Sequence, residues 1–133
     1  MKKYKHIVDK HRPAGYTIHM RKMHVHNGMT EFARSITIDN ALEDRFALFV
    51  FLHECGHVHM GHMRQGPEQP RWEEEYEADQ YAIRAMRKAG IAIPREALAT
   101  HKDILRGLIK DAGHVDNDKA LKYAFGKNWR KYK

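Results

Sequence analysis

Cysteine is nearly absent from this 133-residue chain: Cys55 stands alone, so no internal disulfide can form. Seven methionines and no cysteine framework suit a reducing interior. Long apolar runs are missing as well, the longest, Phe46 to Leu52, being far shorter than the roughly 20 residues a membrane-spanning helix needs. The first residues, Met1-Lys2-Lys3, are charged but lead into no apolar core, which argues against a secretory signal. The expectation is a cytoplasmic protein with no membrane association. There is no internal repeat, low-complexity tract or long linker, and the length suits one domain, 1–133.

Acidic residues are scarce at both ends. Residues 1–26 hold seven Lys/Arg against one acid, and residues 119–133 hold six against none. The stretch between them is therefore net acidic, although the whole chain carries +7. A basic C-terminal tail from about residue 119 can meet nucleic acid or another polyanion, because Lys/Arg clusters bind phosphate backbones without reading sequence. A solvated face that keeps the chain soluble explains the same charge, since neither end carries a recognisable nucleic-acid motif.

Turning to what is present, Tyr16 to Met20 and Met23-His24-Val25-His26 read as extended, with Asn27-Gly28 as a turn signal. Ser35 to Asp39 reads as a second strand, which together predicts a small antiparallel sheet. Asp39 or Asn40 is placed to cap a helix from about Ala41 to Gly61 whose middle, Phe46 to Leu52, is apolar on every side and hence central. Residues 64–70, with Gly66, Pro67 and Pro70, read as a loop. A second helix is predicted from Trp72 to Ala89, and a third from Pro94 to Ile109 with Leu98, Ile104, Leu105, Leu108 and Ile109 buried. Gly113 closes the third, and Asp116 or Asn117 caps a short last helix.

The first helix carries His53-Glu54-Cys55-Gly56-His57, an HExxH motif. Two imidazoles four residues apart lie about 40° from each other around a helix, so both can bind one Zn²⁺. In this arrangement a zinc-bound water attacks a carbonyl while the glutamate, here Glu54, takes its proton as general base. A hydrolytic zinc needs a third protein ligand and an open position. The acidic run Glu73 to Asp79 offers one: Glu75 and Asp79 share a helix face, so Glu75 can reach the metal while Asp79 accepts the N–H of a ligand imidazole. Glu77 points about 200° away from that face. A solvated first turn accounts for Glu73 and Glu74.

HExGH followed by Glu75-Tyr76-Glu77-Ala78-Asp79-Gln80-Tyr81-Ala82 resembles the HExGH and E-x-E-A-D/N-x-F/Y-A pattern of ImmA/IrrE-type metallopeptidases, small intracellular bacterial and phage proteins of the gluzincin kind. The resemblance covers about residues 36 to 86. It implies an α+β fold with a small antiparallel sheet packed on a helical zincin-like core, and a strand before the HExxH helix that acts as the active-site edge strand. It implies His53, His57 and Glu75 as zinc ligands, Glu54 as base and Asp79 behind a ligand histidine. The implied substrate is a regulatory protein such as a DNA-bound transcriptional repressor. The basic tail is outside the pattern.

Other readings stay open. The metzincin pattern would require glycine at 60 and histidine at 63, whereas the chain has Met60, Gly61, His62 and Met63, leaving His62 as a minor alternative ligand. His59 and His62 also suit the end of a helix, where an imidazolium complements the dipole. An oxyanion or substrate contact is assigned to Tyr76, His59, His62 or Tyr81 without choosing among them. His24 and His26 share one strand face, and Cys55 reads as core. The competing functions are a non-catalytic zinc-containing module that holds a regulator or DNA, and a protease resembling the SprT-like group, which acts on DNA-bound proteins.

Overall fold

The computed structural model describes residues 2–23, 28–31, 34–62 and 69–133, with the backbone alone over 28–31. The extended reading of His24 to His26, the turn at Asn27 and the loop over 64–68 fall outside these residues. The fold is α+β. A short 3-10 turn leads into α1 (Lys5–His11), followed by β1 (Thr17–Arg21), β2 (Gly28–Glu31) and β3 (Ser35–Asp39). Four helices complete the chain: α2 (Asp44–His59), α3 (Arg71–Lys88), α4 (Arg95–Ala112) and α5 (Asp118–Phe125), with a 3-10 helix over Gly126–Tyr132.

The sheet corrects the sequence expectation. Its order is β1-β3-β2, with β1 parallel and β2 antiparallel to β3, so it is mixed rather than antiparallel. A turn signal shows where a chain reverses but not which strands pair, and here β3 is inserted between β1 and β2. Its residues Ser35 to Ile38 are all buried. A second correction follows, because β3 is the central strand and cannot be an edge that accepts a peptide. Among the described residues β1 and β2 have the outer edges, and β2 is the one running antiparallel to its neighbour.

α2 forms the centre, and every residue from Phe46 to Gly56 is buried. Its start is set by Glu43, whose carboxylate accepts the Phe46 N–H at 2.9 Å. Asp39 instead accepts the Ala41 N–H in the preceding turn, which is why the helix begins later than its sequence predicts. Burying Phe49, Phe51 and Leu52 completely contributes about 1.5–3 kcal/mol each. They join Ile36, Ile38, Ile7 of α1, and Ala82, Ile83 and Met86 of α3 in one apolar cluster. α1 had no periodic signal strong enough to read in the sequence, since among its described residues only Ile7 is fully buried.

α3 follows Pro70, with Glu73 and Glu74 in its first turn and Arg87 and Lys88 in its last, both favourable to the helix dipole. It approaches α2 tightly at Gly56, where an added Cβ would lie 3.0 Å from the Ala78 Cα and the Tyr81 Cβ. Only glycine allows the two helix backbones to come this close. On α4 the buried row is Ala97, His101, Leu105 and Ile109, four residues apart, whereas Ile104 is 48 % exposed. Asn117 caps α5 by accepting the Ala120 N–H at 3.0 Å. A second apolar cluster then gathers Trp72, Leu105, Ile109, Val115, Leu121 and Trp129. Among the described residues, no helix is long and apolar enough to cross a membrane.

Candidate metal centre

The last buried turn of α2 carries polar groups into the region where α3 crosses it. His53 Nε2 lies 2.9 Å from Glu75 Oε2, His57 Nε2 lies 3.3 Å from the same oxygen, and the two Nε2 atoms are 3.1 Å apart. Around a tetrahedral zinc with bonds of about 2.0–2.1 Å, donor atoms would be separated by roughly 3.3 Å. The three side chains thus stand at about the spacing that ion needs, and they form a group able to hold a metal. Glu75 remains 20 % exposed against 6 % for His53, so the cluster opens to solvent on the carboxylate side.

The hydrogen-bond network fixes which nitrogen of each histidine carries a proton. His53 donates its Nδ1–H to Asp79 Oδ1 at 2.7 Å, which directs the Nε2 lone pair at Glu75. On the other ligand candidate, His57 Nδ1 and His62 Nδ1 are 3.0 Å apart. His62 Nε2 lies 2.9 Å from Glu77 Oε1, and a carboxylate can only accept, so in neutral His62 the proton is on Nε2 and Nδ1 accepts from His57. The His57 Nε2 lone pair therefore also faces Glu75. Three acceptors meeting at 2.9–3.3 Å repel one another unless a cation or a proton lies between them.

The charge balance agrees. Burial alone would push the His53 imidazolium down, but Asp79 and Glu75 outweigh it and hold its pKa well above the usual histidine range. Burial likewise raises a carboxyl, yet where protons rather than a cation occupy the cluster, the hydrogen bonds that protonated His53 and His57 then donate hold Glu75 far below the usual carboxylate range. Asp79 is lowered to about 2 against the same burial penalty, through His101 and His53. Cys55 belongs to the core, where burial pushes its thiol up and keeps it protonated.

Asp79 is held by more groups than its sequence position reveals. Besides His53, it accepts His101 Nδ1–H on Oδ1 at 3.0 Å and the Tyr123 hydroxyl on Oδ2 at 2.9 Å. His101 also meets the Phe49 ring edge-on, with centroids 5.0 Å apart, while its Nε2 is buried without a partner among the described residues. His53, Asp79 and His101 form a second group of metal-capable side chains. There, however, two N–H donors already share one carboxylate oxygen, so the arrangement is complete without an ion. Sequence reasoning missed both His101 and Tyr123. The available signal was a histidine four residues from Ala97 and from Leu105 on an otherwise apolar row.

The remaining sequence candidates separate. His62 contacts His57 from behind rather than joining the three-residue group, and Glu77 supports His62 while also accepting from Gln69 Nε2 at 2.6 Å. Tyr81 and His59 turn to α1: the Tyr81 hydroxyl is 2.7 Å from His11 Nδ1, and His59 donates its Nε2–H to the His11 carbonyl at 2.8 Å while stacking on Tyr81. Tyr76 packs against the Tyr123 ring with centroids 5.8 Å apart. Glu54 is buried, at 6 % exposure, one position after His53 on α2.

Residues 33–97 match the family model of Peptidase U49. The matched span contains β3, α2 and α3 and thus His53, Glu54, His57, Glu75 and Asp79, and it supports protease activity acting on protein substrates. It does not single out the ImmA/IrrE type. No curated protein and no solved structure matches the chain.

Proposed function

We propose that this chain is a zinc-dependent metallopeptidase of the gluzincin kind, with His53, His57 and Glu75 holding the ion and Glu54 as general base. The observation that carries the reading is the convergence of two imidazole lone pairs and one carboxylate oxygen at 2.9–3.3 Å on a side open to solvent. Bound zinc supplies Lewis acidity, which acidifies water and polarises a carbonyl. Glu54, on the same helix as both histidines, would serve as the proton acceptor and would pass the proton on to the leaving amine. Asp79 and His62 hold the two imidazoles in the tautomer that leaves each Nε2 free to bind, and Glu77 with Gln69 holds His62.

An extended peptide would align along the outer edge of β2 by strand addition, because β3 has both edges occupied. Tyr76 is the proposed oxyanion donor: His59, His62 and Tyr81 are engaged elsewhere, whereas the Tyr76 hydroxyl has no hydrogen-bond partner among the described residues. The substrate is proposed to be an intracellular regulatory protein such as a DNA-bound repressor, as the resemblance to ImmA/IrrE-type peptidases implies, and the proposed location is the cytoplasm. A purely structural zinc would need a fourth protein ligand, and among the described residues only three converge on this point.

The direct test is Glu54→Gln. Cleavage of a protein substrate should be lost while zinc, counted by elemental analysis, stays at one per chain. Undiminished proteolysis with the metal bound would remove Glu54 from the base role.

A further inference from the structure

Away from the metal centre, α4, α5 and the C-terminal 3-10 helix enclose an open cleft of about 430 Å³. Four cations line it, Lys102, Arg106, Lys122 and Lys131, and among the described residues no carboxylate does. Among the described residues the three lysines have no ion-pair partner. Lys102 lies over the Tyr123 ring and Lys122 over the Trp129 ring, at 5.0 Å in each case. Arg106 donates to the Ala124 carbonyl at 3.0 Å, and its second nitrogen reaches the exposed Asp103 at 3.4 Å. The cleft also has an aromatic wall: Phe125 and Tyr132 stack with centroids 3.8 Å apart and planes 12° from parallel.

Concentrated positive charge with no lining acid calls for a polyanion, and a flat pair of stacked rings beside it calls for a second planar group. Nucleotides combine both, and sites for small ligands occupy about 300–1,000 Å³. We propose that this cleft binds a nucleotide unit, its phosphate among Lys102, Lys122 and Lys131 and its base stacked on the Phe125–Tyr132 pair. In sequence, aromatic and basic residues of the tail do not form a recognisable motif; folding brings them to one concavity. The inference stands apart from the peptidase reading, because binding is measured without cleavage and with the metal ligands intact.

The test uses the full chain and a fluorescent single-stranded 15-mer deoxyoligonucleotide, followed by anisotropy in low salt. Saturable binding is expected, and displacement by a mononucleotide should far exceed displacement by inorganic phosphate at equal concentration. A mononucleotide that competes as well as the unlabelled strand identifies a free nucleotide as the ligand; one that needs orders of magnitude more identifies the strand. Three phosphate contacts predict a loss of roughly 20-fold in affinity over a fourfold rise in salt. Lys122→Glu with Lys131→Glu, both exposed, should weaken binding at least tenfold, whereas Lys2→Glu with Lys3→Glu, the same change of charge at the other end, should not. Tyr132→Leu should weaken the nucleotide and leave inorganic phosphate unaffected. The proposal is overturned by absent saturation, by equal loss in the two double variants, or by phosphate competing as well as the mononucleotide.

Discussion

Asp79→Asn keeps the shape of the side chain and removes its charge, so it isolates what the carboxylate does behind His53. Three donors converge on that group, from His53 and His101 at 2.7 and 3.0 Å and from Tyr123 at 2.9 Å. An amide offers one acceptor oxygen and an NH₂ group, so it cannot accept at both ends. A hydrogen bond to a charged partner is worth about 1 kcal/mol more than a neutral one, and three of them give about 3 kcal/mol. Lowering the Asp79 pKa from 3.8 to about 2, through the same His101 and His53 bonds, corresponds to about 2 kcal/mol. The metal-free variant should therefore melt roughly 10 °C lower, at about 4 °C per kcal/mol for a chain of this size. Zinc affinity should fall about 10–100-fold, the usual cost of losing the carboxylate behind a ligand histidine. Competition against a chromophoric chelator reads the affinity, and thermal circular dichroism of chelator-treated protein reads the stability. A lower melting point with zinc affinity unchanged within about twofold would show that Asp79 only braces the fold and does not set the His53 donor.

Further outcomes follow from the same geometry. Glu75→Ala should abolish zinc loading, while Glu77→Ala, which strips only the support of His62, should weaken it several-fold, as metal titration will show. His62→Phe should match Glu77→Ala in zinc affinity, and the double variant should be no worse than either single one if the two residues act through one path. Gly56→Ala gains about 1 kcal/mol of helix propensity but forces contacts of 3.0 Å on α3; overpacking costs about 1–3 kcal/mol, so the variant should melt lower. In metal-free protein, His53 is raised above 6.5, so its stabilising contribution is complete below pH 6.5 and disappears as the pH climbs through the raised value. Asp79 acts in the opposite sense, its contribution being present above 3.8 and lost as the pH falls toward about 2. A melting-temperature profile should thus decline on both sides, and zinc affinity should fall with acidification as the metal competes with the His53 proton.

The ligand candidates were legible in the sequence because each pair lies on one helix. His53 and His57, or Glu75 and Asp79, are placed together by helical periodicity alone, and an apolar run as dense as Phe46 to Leu52 has only the interior to occupy. What α4 and α5 add to Asp79 was not legible. His101 and Tyr123 reach Asp79 from α4 and α5 across sequence separations of 22 and 44 residues, and no periodicity links them. His62 was read as a ligand or a helix-end charge, when the turn after α2 folds it back behind His57. The sheet failed for a related reason: strand order depends on which edge of β3 each neighbour takes, and alternation of apolar residues does not encode it.

The Peptidase U49 match ends at residue 97, four residues before His101. Every ligand candidate lies inside the matched span, but two of the three donors that immobilise Asp79 are residues beyond its end. The chain is thereby divided between a part that decides which chemistry is available and a part that decides how stiffly it is presented. Substitutions in α4 and α5 can consequently retune the rigidity of His53 without altering a single candidate ligand, and these same two helices carry the basic cleft. Tyr123 belongs to both, lining the cleft with its ring and holding Asp79 with its hydroxyl, so a change at this one position acts on the cleft and on the candidate metal centre together.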